Sequence, residues 1–261
     1  MDTNILLMDS RRDRNSTLIA SFIAVLVLLI CRVVAAAPDR QVAVSDPASL
    51  IQKQCDAENA DACTQIGEMY VNGQGVVQNY VKAARILDKA CKNYSAQACY
   101  ILGLLNGEGK GVKVDKKKAV ALYQQACNGG SVQGCLLLGS MYSRGQGVKQ
   151  DFVKAENPFK IACEGGAPSA CAALGYMYTD GNNGITQDLT KAAEMYRKAC
   201  DGDLESECYS LGVAYAQGKG VPQNNSEALK LYKKSCELTY MLGCESQSRL
   251  EADMGIVSAS K

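Results

Sequence analysis

The sequence predicts an all-α protein, a right-handed solenoid of stacked antiparallel helix hairpins of tetratricopeptide-like form, on three observations. Twelve of the 13 cysteines form six pairs with seven residues between mates: Cys55/Cys63, Cys91/Cys99, Cys127/Cys135, Cys163/Cys171, Cys200/Cys208 and Cys236/Cys244. The first cysteine of each pair recurs every 36 residues, once 37, which is the mark of a stacked repeat. Glycines keep the same register: Gly67, Gly103, Gly139, Gly175 and Gly212 follow the second cysteine by four residues, and Gly73, Gly109, Gly145, Gly181 and Gly218 follow it by ten.

Taken in chain order, the segment near Ala48–Cys55 has no preceding partner and reads as an N-terminal capping helix. The first helix of the first repeat, Ala62–Val71, sets Ile66, Met69 and Tyr70 at helical spacing and stops at Asn72-Gly73-Gln74-Gly75. The second, from about Asn79 to Lys92, places Ala83, Ile86, Leu87 and Ala90 on one face. Asn79, Asp115, Asp151, Asp188 and Asn224 are polar starters at equivalent positions. Neither helix buries enough apolar surface alone, so neighbouring hairpins must stack. The glycine inside each first helix costs roughly 1 kcal/mol against alanine, so its recurrence implies close helix approach. The residue that lengthens one interval falls within Gly181-Asn182-Asn183-Gly184, a loop. Pro158 stands where other repeats have Ile86, Leu122, Met195 and Leu231, and its second helix is expected to kink or to start late. After Cys244 the glycine signals stop, which reads as a C-terminal capping helix.

Ala-Cys, Leu-Gly, Tyr, Gly-x-Gly-Val, Ala, Tyr and Ala-Cys in succession resemble the Sel-one-like repeat, a relative of the tetratricopeptide repeat. The paired cysteine in every unit is similar to the cysteine-rich Hcp proteins of bacteria, often labelled β-lactamase-like. The resemblance runs from Cys55 to Cys244 and implies a helical binding scaffold, with β-lactam binding or weak β-lactamase activity as an alternative. A second alternative is an assembly factor of the mitochondrial intermembrane space, where similar cysteine-rich repeats occur. Asp2, Asp9 and Asp13 among the N-terminal arginines are unlike a transit peptide.

Each cysteine pair spans the end of one helix and the start of the next, so a disulfide would pin the turn between them. A nine-residue loop closed in this way contributes about 2.5 kcal/mol in the chain-entropy model. Zinc is the rival reading, but structural zinc sites favour cysteines two to four residues apart, often with histidine, and the chain has no His. Disulfides imply an oxidising compartment.

The N-terminus agrees. Arg11, Arg12 and Arg14 precede an apolar run from Leu18 to Cys31 broken only by Ser21, and Ala35, Ala36 and Ala37 come next. This is the order of a secretory signal, cut after Ala36, with a retained signal anchor as the alternative. The expected organisation is a signal peptide or anchor over 1–37, a leader over 38–46, the solenoid over 47–251 and a disordered tail over 252–261. Asn93-Tyr94-Ser95 would be a glycosylation site in a eukaryotic secretory pathway.

With 28 basic and 27 acidic residues the net charge is +1, which removes the general electrostatic case for nucleic acid, and no basic stripe is expected. Tyr70, Tyr142, Tyr178 and Tyr215 share one register position and Tyr123, Tyr196 and Tyr232 another, a ladder expected to pack between repeats. No catalytic set emerges. The sole Ser-x-x-Lys is Ser258 to Lys261 in the tail, and without histidine there is no His base or His-rich metal site. No cofactor or metal is expected, and cysteines held in disulfides are poor nucleophiles.

The remaining function is binding of a protein or peptide by a monomer, with membrane contact only through an uncleaved N-terminal segment. In related repeats the first helices line the concave surface. The positions one and five residues after the second cysteine then face the partner: Thr64, Tyr100, Leu136, Ala172, Tyr209, and Glu68, Leu104, Ser140, Tyr176, Val213. Tyr100, Leu104, Tyr176, Tyr209 and Glu68 are the leading candidates, the tyrosines because aromatic residues dominate binding hot spots.

Overall fold

The structure, a computed structural model, describes residues 46–181 and 184–256. The expected signal segment, all of the leader except Asp46, and tail residues 257–261 lie outside the described residues. So do Ser258 and Lys261.

Twelve helices and no strands make up the described residues. They are α1 (Pro47–Asp56), α2 (Ala60–Asn72), α3 (Tyr80–Lys92), α4 (Ala96–Glu108), α5 (Lys116–Asn128), α6 (Val132–Arg144), α7 (Phe152–Glu164), α8 (Pro168–Asp180), α9 (Leu189–Asp201), α10 (Glu205–Gln217), α11 (Asn225–Glu237) and α12 (Met241–Asp253). Five hairpins pair an even-numbered A helix with the odd-numbered B helix that comes after it, from α2/α3 to α10/α11. α1 and α12 flank the hairpins. α12 runs two residues past the expected end of the solenoid.

The starters cap the B helices. The side chains of Asn79, Asp115, Asp151, Asp188 and Asn224 accept from the backbone N–H three residues on, at 2.9 to 3.0 Å. This satisfies a donor that the first turn leaves open. Asn59, Ser95 and Ser131 do the same for α2, α4 and α6, so α2 begins at Ala60, two residues before the expected start. Each hairpin's A helix ends on a glycine in the left-handed region, Gly73 to Gly218, with φ between 58° and 75°.

The glycine within each A helix is a contact point. A β-carbon there would lie 2.5 to 2.7 Å from a large side chain on the following B helix: Leu87 at Gly67, Tyr123 at Gly103, Phe159 at Gly139, Tyr196 at Gly175 and Tyr232 at Gly212. Tyr123, Tyr196 and Tyr232 were expected to pack between repeats. They cover the glycine of their own hairpin, because only glycine lets the two axes approach so closely, and Tyr123 at the same time shares a core cluster with Leu138 and Met141 of the next repeat. Just behind this contact, Ile66, Leu102, Leu138, Leu174 and Leu211 form a fully buried row, one per hairpin.

Six disulfides join successive units: Cys55–Cys63, Cys91–Cys99, Cys127–Cys135, Cys163–Cys171, Cys200–Cys208 and Cys236–Cys244. Each runs from the end of one helix to the start of the next, with Cα atoms 4.5 to 4.8 Å apart. The sequence reading of these bonds as clamps on a turn is incomplete, because the sulfurs also belong to the core. Cys63, Cys99, Cys135, Cys171 and Cys208 are at most 2% exposed. They lie in the first turn of an A helix, one helical turn before the glycine contact, and are therefore covered by the packed hairpin. Their burial places these five cysteines in the core that supports the A helices. Among the described residues only the last bridge is half-buried at both of its cysteines, Cys236 and Cys244.

Lysines add a second stitch. Lys89 Nζ donates to the carbonyl of Cys55 at 3.1 Å and Lys234 Nζ to that of Cys200 at 2.7 Å, each capping the C-terminal end of the helix that carries that cysteine, one unit earlier.

Pro158 was expected to kink its helix or delay its start, and the late start is excluded. α7 starts at Phe152, behind the Asp151 cap, in the common register and keeps the common thirteen residues, with Pro158 buried inside it. The start is not delayed because the Asp151 cap fixes the first turn well before the chain reaches the proline. Three pairs of successive A helices, α2/α4, α4/α6 and α10/α12, touch more extensively than any two successive B helices do, which makes the A helices the closer-packed, inner layer and the B helices the outer one.

Candidate partner-binding face of the A helices

The register that builds the hairpins also divides each A helix. Residues three and four after the second cysteine face the B helix, which leaves those one and five after it directed along the inner layer toward the next A helix. Thr64 is buried, and its hydroxyl lies 2.8 Å from that of Ser95, the cap of α4. Ala172 is buried too. Glu68 is half-buried and accepts from Gln97 Nε2 at 2.9 Å, so it bridges α2 and α4.

The aromatic candidates divide in the same way. Tyr100 is half-buried, 6.5 Å from the ring of Tyr123, and Leu104 packs against the central core. Tyr209 lies between Tyr232 at 5.7 Å and Tyr240 at 5.6 Å. Tyr176 is 46% exposed, the most open tyrosine of this face, and meets Tyr196 edge-on at 5.5 Å. Its hydroxyl donates to Glu207 Oε1 at 2.9 Å.

Glu207 was not singled out from the sequence. It is 4% exposed, third residue of α10, and also accepts from Ser206 Oγ at 2.7 Å. Its place in the first turn of a helix suits a carboxylate, since the free N–H groups carry partial positive charge. A register argument could have found it: α10 begins after Leu204, which gives no side-chain cap. Burial, then the bond to Glu207, push the Tyr176 hydroxyl up to about 12, and burial pushes Tyr123 up to about 12. Tyr178 is raised as well, by burial and by its bond to Glu156 of α7 at 2.7 Å. Tyr178 and Tyr215 thus link repeats, the latter through Arg197.

Two cavities open along this layer, one repeat apart. α6, α7 and α8 enclose about 250 Å³, and α8, α9 and α10 about 300 Å³. Tyr176 lines the first; Tyr209 and Val213 line the second.

Charge is separated by layer. The hairpin A helices carry Asp61, Glu68, Glu108, Asp180, Glu205 and Glu207 against a single basic residue, Arg144. On the outside, α5 carries Lys116, Lys117 and Lys118 with no acidic residue, and α3 carries Lys82, Arg85, Lys89 and Lys92 against Asp88. The B helices after them are mixed, α7 carrying two basic and two acidic residues, so the near-zero net charge sums an acidic A layer with a basic excess concentrated on α3 and α5.

Among the described residues no group of three or more His, Cys, Asp or Glu side chains is placed to hold a metal, and no helix is long and apolar enough to cross a membrane. The apolar run Leu18–Cys31 lies outside those residues.

Comparison with solved structures agrees with the architecture. A protective antigen of uropathogenic Escherichia coli displaying an SLR fold aligns with a TM-score of 0.74 at 30% identity, over 81% of this chain and 45% of that one. The chain thus spans a little under half the length of that antigen. A Sel1 repeat protein from Oxalobacter formigenes aligns with a TM-score of 0.65 at 27% identity, over 78% and 84%. Helicobacter pylori cysteine rich protein B matches at 34% identity over 52% of this chain and 98% of its own, with a TM-score of 0.41. No curated protein sequence matches. The Sel1 repeat model matches residues 60–95, 96–131, 132–166, 168–204 and 208–240, which are the five hairpins. The chain belongs to the Sel1 repeat family.

Proposed function

We propose that the protein is an exported, disulfide-stabilised scaffold that binds a protein or peptide along the inner face of its A helices. The observation that carries this reading is the combination on one face of an exposed aromatic, Tyr176, two adjoining cavities and an excess of carboxylates, all on a frame that is otherwise repeated. A structural face would repeat its side chains as the core does; a recognition face varies them. Sel1 repeats generally mediate protein–protein contacts, and twelve cysteines in disulfides fit an oxidising space outside the cytoplasm. Export through residues 1–37 and action as a monomer belong to the same proposal. So does the view that any membrane contact runs through that segment alone.

The test is site-specific photo-crosslinking in cells that make the protein. A benzophenone side chain at Leu104 or Val213 should trap a discrete partner, and one at Arg85 or Lys117 on the B helices should not. Equal yields from both layers, or none from the A helices, would overturn the assignment.

A further inference from the structure

The cavity between α6, α7 and α8 is where the repeat departs from itself. Phe159 replaces the tyrosine found at Tyr123, Tyr196 and Tyr232, and Phe152 stands where α5 begins with Lys116. Both line the cavity, so its floor has lost the hydroxyl that Tyr196 uses to bond Thr179 one repeat later. Ile185, just past the one lengthened interval, is 7% exposed and forms a wall with Met177.

The rim is of another kind. Asp180 ends α8 at the cavity mouth, exposed, and its carboxylate makes no hydrogen bond or ion pair with another described residue. Glu108, in the same register, is paired with Lys110 at 2.7 Å. The Tyr176 hydroxyl is committed to Glu207, which leaves the ring as the part of that side chain available at the rim. An apolar floor below an exposed carboxylate and an aromatic ring matches one type of side chain, with an aliphatic stem and a cationic tip. The A helices carry six carboxylates against Arg144, which ends α6 in the register of Asp180, so the layer as a whole adds the same sign over a longer range. A volume of about 250 Å³ is below the range usual for whole small-molecule ligands and suits one long side chain. The neighbouring cavity between α8, α9 and α10 has Lys219 and no carboxylate on its lining, so of these two cavities only the first has this selectivity.

We infer that this cavity is a subsite for an arginine or lysine side chain of an extended peptide, with Asp180 receiving the charge and Phe152 and Phe159 the stem. It rests on the inner-face reading above and names the partner's chemistry.

The experiment uses the full-length oxidised chain with labelled methionine and isoleucine methyl groups. It is titrated with a blocked Ala-Ser-Arg-Ser-Ala peptide and with its citrulline and norleucine counterparts. The arginine peptide should shift the Met177 and Ile185 methyls, and the neutral citrulline peptide should bind about five- to tenfold more weakly. Asp180→Asn, at an exposed helix end and so without effect on the unfolding midpoint, should lower arginine binding to the citrulline level. Norleucine binding as tightly as arginine would overturn the subsite, as would silence of Met177 and Ile185 or free agmatine matching the peptide. Cross-links from Leu104 and Val213 with silent Met177 and Ile185 would sink the subsite and keep the inner-face reading. Absence of those cross-links would count against the reading itself.

Discussion

A β-carbon on Gly175 of α8 would fall 2.6 Å from Cε1 of Tyr196 on α9, inside any tolerable contact. The tyrosine is 6% exposed and cannot swing into solvent without opening the hairpin. Gly175→Ala should therefore destabilise by about 1 to 3 kcal/mol through overpacking, although alanine is the better helix former by roughly 1 kcal/mol. Removing the obstacle should reverse the sign. In a Tyr196→Ala background the same substitution should raise stability, as read from urea unfolding by circular dichroism. A Gly175→Ala effect of one sign in both backgrounds would refute close approach as the reason for the glycine.

The six disulfides close loops with a sequence separation of 8 between adjacent units. Replacing both Cys127 and Cys135 by alanine should cost about 2.5 kcal/mol. In a nearest-neighbour stack the site of loss matters as much as its size. Loss at Cys127/Cys135 weakens the joint between α5 and α6, so unfolding should split into two transitions. Loss at Cys55/Cys63 should release only α1. Hydrogen exchange along the chain separates the two cases, and full reduction should lower the melting temperature. A melting curve that ignored reductant would remove the clamps from the account of stability.

The spacing of cysteines and glycines made the stack legible, because residues that repeat every 36 positions do so for reasons of backbone geometry. Asn79 and Asp151 could be read as helix starters since a cap acts within one turn. What a side chain touches across the hairpin was not legible. Tyr123, Tyr196 and Tyr232 recur at a fixed register whether they face their own hairpin or the next, and only the packed structure sets them on Gly103, Gly175 and Gly212. The cysteine spacing likewise announced bonds across a turn, while the burial of Cys63, Cys99, Cys171 and Cys208 depends on the helices packed over them. Glu207 was hidden for a similar reason: its partner Tyr176 lies 31 residues away, on another repeat. The separation of charge by layer was masked by a composition that sums to almost nothing. Gly111 and Gly147 were visible as Gly-x-Gly, but the purpose of the second glycine was not. Their α-carbons lie against the backbone at Tyr80 and Lys116, the start of the preceding B helix, where a side chain would not fit.

Two tyrosines whose hydroxyls hold their protons late give the fold an alkaline limit. Tyr123 and Tyr176 are both pushed up to about 12, while an unfolded tyrosine titrates near 10. Their folded values are raised, so their contribution to stability is complete below pH 10 and is lost as pH rises from there toward 12. Spectrophotometric titration of tyrosinate should show a late-ionising class that appears together with the loss of helix. Tyr176→Phe should remove part of the late class and flatten stability between pH 10 and 12. If the tyrosines all ionised near 10 with helix intact, burial would not be holding the proton.

The turn from each B helix to the next A helix requires a left-handed residue. Gly130 and Gly166 meet that requirement with φ of 86° and 85°, whereas Glu58, Tyr94, Asp203 and Thr239 occupy it with φ of 67°, 65°, 60° and 75°. Thr239 is the least suited, because a β-branched side chain crowds its own carbonyl there. The conformation persists since Cys236–Cys244 closes the turn and the Thr239 N–H donates to the Cys236 carbonyl at 2.8 Å. Thr239→Gly should stabilise the C-terminal cap by about 0.5 to 1 kcal/mol, after the greater freedom of unfolded glycine is offset. Gly130→Thr, the reverse change at an equivalent turn, should destabilise by more, since its neighbours α5 and α6 are flanked by repeats on both sides. Urea midpoints for the two variants and for Thr239→Ala separate the causes. Glycine should gain where alanine gains less, and equal gains from both would assign the effect to the loss of the threonine side chain rather than to the backbone.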